Sequence, residues 1–258
     1  MLVPEMFLLL LAGVSAGPVE STDDAGDTIP KHEPWESTGL FEGDIMEPPG
    51  TLVHRNAMKD KSLRWPNGVV PYNITEDFTE EDRKIIRKAM DEIEANSCVT
   101  FKERTVDDFD YVLIGDDLTR PGCWAEVGKV GGAQTLNLGR ANYCVYFKGV
   151  VHELMHTLGF QHQQSASNRD DYVKILWKNI LPGKGYNFDK YDNSMITDLG
   201  IPYDYNSVTH YAADAFTSNG KDTIEPLEEG AVIYNDGHLS RGDMEKLNIM
   251  YNCNIIFI

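Results

Sequence analysis

The chain has 258 residues, enough for one large domain or two small ones, and a formal net charge of −18 with 41 acidic against 23 basic residues. So acidic a surface excludes nucleic acid as an expected partner. The imbalance is greatest at the front, where residues 1–55 hold ten Asp or Glu against Lys31 and Arg55.

Met1–Ala16 reads as a secretory signal. Its apolar run Phe7–Val14 is too short to span a bilayer, and Val14-Ser15-Ala16 offers small residues for cleavage, although Glu5 stands where a basic residue is usual. Nothing later looks transmembrane, so an exported chain is expected, with no membrane partner. From Gly17 to about Pro34 the sequence is polar, acidic and broken by Pro and Gly, which leaves too little apolar surface to order it. Phe41-Glu42-Gly43-Asp44-Ile45 carries a Gly-Asp turn signal, and Arg55 marks a basic site in a polar linker.

Val69–Ile74 is predicted as a strand, and within it Asn73-Ile74-Thr75 is a sequon for N-glycosylation, expected on an exposed strand edge. Glu80–Asn96 is predicted as a helix: Ile85, Ile86, Ala89, Met90 and Ile93 recur at helical spacing behind Thr79 as N-cap. Strands follow at Val99–Glu103 and Tyr111–Ile114. After the glycine-rich stretch Gly128–Ala133, Gln134–Leu138 alternates like an edge strand. Four cysteines, Cys98, Cys123, Cys144 and Cys253, fit an oxidising compartment, and their spacing alone leaves all three pairings open.

Val151–His162, VHELMHTLGFQH, organises the rest. On a helix, His152 and His156 are four apart and share a face, the spacing two imidazoles need to hold one zinc ion. Glu153 follows the first His and can stand beside the metal without ligating it, as a base toward water. Gly159 ends the helix in a turn that only glycine takes without steric cost. That turn swings His162 back as a third ligand and leaves a fourth position open. The pattern is that of the metzincins. Beyond Gly159 the periodicity is poor until a helix predicted over Ser240–Tyr251, so this part is expected to form the other wall of a cleft. No GxSxG occurs, which argues against a serine nucleophile.

HELMHTLGFQHQQSASNRDDYV resembles the signature of the astacin metalloproteases, HExxHxxGFxHExxRxDRDxxV. It departs at Gln163, Ala166 and Asn168, where the family has Glu, Arg and Asp. The resemblance implies an α+β fold: a two-lobed metzincin-like catalytic domain with a twisted, mainly parallel sheet, a zinc helix and an irregular C-terminal lobe. It implies one zinc ion per chain on His152, His156 and His162, with Glu153 as general base. Ser207-Val208-Thr209-His210-Tyr211 resembles the family's S-x-M-H-Y turn, which makes Tyr211 the oxyanion donor and puts Thr209 where the supporting Met stands. Phe41–Ile45 resembles the FxGD element of astacin propeptides, so Asp44 is expected to occupy the open metal position in the latent form only.

Cys98–Cys253 and Cys123–Cys144 are the pairings the resemblance implies. Matching Trp65 and Pro71-Tyr72 to the family's mature start divides the chain into a signal peptide (1–16), a propeptide (17–55) and a catalytic domain (56–258). An activating protease cutting after Arg55 is then expected, together with protein or peptide substrates, a monomer, and no appended modules. The substitutions at Gln163, Ala166, Asn168 and Thr209 motivate an alternative, a catalytically weakened or inactive astacin-like secreted binding protein. Leu239-Ser240 lacks the preceding Arg that many family members carry, which leads us to expect weak or reversed preference for acidic residues after the scissile bond.

Overall fold

A computed structural model describes residues 33–46, 60–192 and 197–254. The signal segment, His32, His54 and the Arg55–Asn56 bond lie outside the described residues.

Six strands form the main sheet: β1 (Ile45–Met46), β2 (Val69–Ile74), β3 (Thr100–Glu103), β4 (Tyr111–Gly115), β5 (Cys123–Glu126) and β6 (Ala133–Leu138), in the order β1-β5-β6-β4-β2-β3. All pairings are parallel except β5 with β6. Two helices pack against each other beside the sheet, α1 (Glu80–Asn96) and α2 (Phe147–Thr157). Thr79 caps α1 reciprocally with Asp82, and Ile86, Ala89, Met90 and Ile93 form its buried stripe. α2 begins earlier than Val151, and every residue from Gly149 to Thr157 is buried, as expected of a helix set between the sheet and a second lobe.

The edge of this sheet differs from the sequence expectation. Gln134–Leu138 falls in β6, which lies between β4 and β5, while the short segment Cys-Trp-Ala-Glu of β5 is the strand that β1 covers. The amide side chains of β6, Gln134 and Asn137, are not wet. The Gln134 side chain donates to Gly128 O at 2.6 Å, and that of Asn137 donates to Gly122 O at 2.6 Å, so both are buried and serve loop backbone. Asn73 is exposed on β2, an interior strand, although β3's register ends at Tyr72–Glu103 and does not reach it.

The C-terminal lobe is irregular apart from the antiparallel pair β7 (Val173–Ile175) and β8 (Ile224–Pro226) and the helix α3 (Arg241–Tyr251), capped by Ser240 with Asp243. Cys98 is joined to Cys253, which ties the end of α1 to the end of α3, and Cys123 to Cys144, which ties β5 to the approach of α2. No helix among the described residues is long and apolar enough to cross a membrane.

Candidate metal centre

The end of α2 is shaped by backbone hydrogen bonds. Gly159 N donates to His156 O at 2.8 Å and Phe160 N donates to Met155 O at 3.0 Å, the paired bonds of a Schellman cap. Gly159 has φ +101°, a conformation that costs a residue with a Cβ. Carbonyls left over at the helix end find partners from a distance: Trp65 Nε1 donates to Thr157 O and the Tyr251 hydroxyl to Leu158 O. Replacing Gly159 with Ala is expected to cost about 1–3 kcal/mol of stability and to displace His162, lowering metal affinity with it. Thermal unfolding with and without zinc measures both; an unchanged melt would show that the turn is not strained.

Past that turn His162 reaches the helix face that carries His152 and His156. The three Nε2 atoms converge: His156 to His152 at 2.9 Å and His162 to His152 at 3.3 Å. Each Nδ1 has an acceptor of its own. His152 Nδ1 donates to Val208 O at 2.8 Å, His156 Nδ1 to Phe160 O at 2.7 Å, and His162 Nδ1 to the Glu42 carboxylate at 2.8 Å. Those bonds hold a proton on each Nδ1 and turn each Nε2 toward the common centre, where it is placed to take a metal ion.

Lone pairs that face one another across such distances repel, and a cation between them removes the repulsion. Tetrahedral zinc with nitrogen ligands would separate them by about 3.3 Å, so the three imidazoles fit this ion. The fourth side is closed by Asp44, whose Oδ2 lies 3.0 Å from His152 Nε2 and 3.2 Å from His162 Nε2. Its Oδ1 has no hydrogen bond and stands 3.7 Å from His156 Nε2. The four ligand atoms lie within 4.8 Å of one another, all on buried residues.

Burial acts to raise the Asp44 carboxyl, but His162 and His156 outweigh it and hold it well below the usual range. Burial drives the His156 imidazole down to about 4. At His162 burial acts the same way, yet Asp44 and Glu42 prevail and lift it to about 9. Asp44 and Glu42 thus favour positive charge on His162 Nε2, whether a proton or a metal ion, while burial disfavours a proton on His156.

Glu153 is fully buried beside this cluster, and neither carboxylate oxygen has a hydrogen-bond partner. Burial first, and the Asp44 charge second, push its carboxyl well above the ordinary value. Tyr211 packs on His162 with ring centroids 4.7 Å apart, and its hydroxyl donates to Glu42 O at 2.6 Å. The turn that carries it is fastened to α3: Asp243 accepts from the Ser207 hydroxyl at 2.7 Å and from Val208 N at 2.8 Å, and Val208 O in turn orients His152. Thr209 is buried, but its hydroxyl meets Ser207 Oγ at 3.1 Å, so the extra polar group is not left alone. Gln163 Oε1 accepts from the buried ammonium of Lys246. His210, bonded to the Tyr203 hydroxyl at 2.7 Å, and the exposed His238, beside Glu92, stand apart from the cluster.

Residues 33–46 lie across the site. β1 pairs with β5 from Ile45 opposite Ala125, and Ala125 N donates to Asp44 O at 2.9 Å, which sets Asp44 over the histidines. Glu42, unmarked by sequence reasoning, also accepts from the Ser165 hydroxyl at 2.5 Å and from the Tyr191 hydroxyl at 3.1 Å. Gly43 has φ +86°, and a Cβ there would stand 2.7 Å from the Trp35 ring. Trp35, 4% exposed, stacks on Tyr211 with centroids 4.7 Å apart. A sequence search for buried aromatics near the Gly-Asp turn would have drawn Trp35 in; Glu42 had no signal beyond its place in the turn.

Residues 57–252 match the family described as Astacin (Peptidase family M12A). The chain is 41% identical over 202 residues to "Zinc metalloproteinase nas-13" of Caenorhabditis elegans, a match covering 78% of this chain and 44% of that protein. Against "Zinc metalloproteinase nas-6" of the same organism it is 40% identical over 232 residues, 86% of this chain and 65% of that one. It thus spans less than two thirds of the length of these relatives. The solved structure of "High choriolytic enzyme 1 (HCE-1), a hatching enzyme zinc-protease from Oryzias latipes (Medaka fish)" superposes with a TM-score of 0.67 at 37% identity, over 74% of this chain and 94% of that one. With the family profile covering most of the sequence and the imidazole cluster inside it, the chain belongs to the astacin family.

Proposed function

We propose that the chain is a secreted zinc-dependent endopeptidase made as a zymogen. The observation that carries this reading is Glu153, a buried carboxylate without hydrogen bonds beside three converging imidazoles. In this reading residues 1–16 are a signal peptide, 17–55 a propeptide and 56–258 the catalytic domain, which works as a monomer on protein or peptide substrates. A separate protease cuts after Arg55, and Asn73 is available for glycosylation on the exported chain.

Zinc held by His152, His156 and His162 supplies Lewis-acid chemistry, making water more acidic and stabilising negative charge on a carbonyl oxygen. The chain's own residues do the rest. Glu153 takes the proton from water and hands it to the leaving amine. Tyr211 donates a hydrogen bond to the oxyanion, worth about 3–4 kcal/mol when aimed at the transition state. In the uncut chain that hydroxyl is engaged by Glu42 O, so departure of the propeptide releases it. Departure of β1 also bares β5, where an extended substrate adds as a strand. The alternative, a weakened binding protein, rests on Gln163, Ala166, Asn168 and Thr209; the partnered Thr209 hydroxyl and the complete imidazole set favour turnover.

The test is zinc content together with casein or gelatin cleavage, before and after removal of residues up to Arg55. Near-stoichiometric zinc is expected, with activity after the cut alone, lost on chelation and regained with zinc. Bound zinc without cleavage of varied substrates would move the assignment to the binding protein.

A further inference from the structure

In the endopeptidase reading the Tyr211 phenol serves two partners in turn, Glu42 O in the uncut chain and the oxyanion after the cut. The Tyr211 backbone lies in neither a helix nor a strand, so its polar groups depend on side chains. Tyr211 N donates to Gln164 Oε1 at 3.0 Å, and Tyr211 O accepts from His210 Nδ1 at 2.7 Å. A carbonyl only accepts, which puts a proton on His210 Nδ1. Burial pushes the His210 imidazole down to about 4, so the ring carries that single proton at neutral pH and Nε2 keeps a lone pair. The Tyr203 hydroxyl donates to this Nε2 at 2.7 Å.

Tyr203 is itself firmly held. It is buried, its ring stacks on Tyr172 with centroids 4.9 Å apart and planes within 8°, and the Tyr205 ring meets it edge-on at 5.3 Å. The Tyr205 hydroxyl donates to Tyr172 O at 2.7 Å and closes the group. Without the Tyr203 hydroxyl the buried Nε2 of His210 loses its donor, and with it the tautomer that serves Tyr211 O loses its support. That support matters most once residues 33–46 are gone. In the uncut chain Trp35 stacks on the Tyr211 ring at 4.7 Å and Glu42 O holds its hydroxyl. The neighbours that stay, His162, Phe188 and Phe216, bear on the ring at 4.7, 5.8 and 5.7 Å between centroids, contacts less directional than a hydrogen bond. The aim of the hydroxyl then falls to the backbone that carries it.

We propose that Tyr203, acting through His210, is a positioning residue for Tyr211: the two hydrogen bonds in series fix the backbone from which the phenol reaches the oxyanion. The proposal rests on the endopeptidase reading. Its effect falls on the reaction and not on the binding of substrate. A displaced donor loses the oxyanion, where small misplacements are costly, whereas a substrate strand pairs with β5 in the other lobe and does not involve Tyr203.

The test uses the zinc-loaded chain cut after Arg55. Tyr203→Phe is expected to lower kcat by about 10-fold while KM changes by less than about 2-fold. His210→Phe acts in the same direction, and His210→Gln, which keeps a donor and an acceptor, recovers part of the loss. In a Tyr211→Phe background Tyr203→Phe has no further effect, whereas a merely structural role costs the same in both backgrounds. Zinc content and melting temperature are checked for each variant, and the His210 pair carries the comparison should Tyr203→Phe fail to fold. A second measurement needs no turnover. By calorimetry, a phosphinic peptide, whose tetrahedral phosphinyl group stands in for the oxyanion, binds the wild type about 10-fold more tightly than Tyr203→Phe, and Tyr211→Phe removes the difference. Discrimination in binding without cleavage of any substrate keeps the positioning role and overturns the endopeptidase reading. An unchanged kcat, a loss that persists in full in the Tyr211→Phe background, or phosphinate binding indifferent to Tyr203→Phe overturns the positioning role.

Discussion

Glu153→Ala, in the chain cut after Arg55, is expected to lower kcat by about 10²–10⁴-fold on a peptide substrate while zinc content stays at one per chain. The separation of the two readouts follows from geometry. His152, His156, His162 and Asp44 supply the converging ligand atoms, whereas Glu153 stands outside that set with both oxygens unpartnered. A buried carboxylate with no hydrogen bond costs stability, so its removal should leave the melting temperature unchanged or raise it. Glu153→Gln keeps the shape and tests the charge alone; it should be as inactive as the Ala variant, because an amide cannot take up the proton. Loss of zinc alongside activity would make Glu153 a ligand, and activity retained in both variants would require another base.

The metal helix was legible because its information is local. A spacing of four between His152 and His156, and a glycine placed to bring His162 back, are statements about one helix turn and one cap, and both depend on neighbours within a dozen residues. The sheet edge was not. Thr135 and Asn137, alternating with Leu136 and Leu138, give β6 the appearance of a strand with one wet face, and only the positions of Gly128 and Gly122 reveal that the Gln134 and Asn137 side chains serve buried backbone. β5, four residues with no alternation, carries too short a pattern to announce itself. The contacts of residues 33–46 are less legible still. Glu33 meets Lys148 across 115 positions and Glu42 meets His162 across 120, and no periodicity links residues so far apart. Asp44 was found through its resemblance to a known element, while Glu42, two residues earlier and bonded to the third imidazole, was not.

Those contacts determine how a second large effect should divide. With Arg55→Gln blocking the cut, Asp44→Ala is expected to raise the activity of the intact chain by about 100-fold above its background, from loss of about 3 kcal/mol of charge-assisted contact. It should still fall short of the cut chain. Asp44 closes the metal position, but Trp35 is buried between His152, Tyr211 and Phe216, and Glu33 and Glu42 hold Lys148 and His162 from either side. Substituting a buried Trp by Ala typically costs about 3–5 kcal/mol, of the same order as the carboxylate's contribution, but it leaves the carboxylate on the metal position. Trp35→Ala combined with Asp44→Ala should therefore bring the intact chain close to the cut one, because a segment opens fully only when the summed preference for the closed state is gone. Trp35→Ala alone should loosen the segment and yield less activity than Asp44→Ala, since Asp44 can still reach the imidazoles. Initial rates on one peptide, with chain integrity checked at each time point, separate the cases. If Trp35→Ala activates the intact chain and Asp44→Ala does not, latency lies in the covering of the cleft and not in the carboxylate on the metal position.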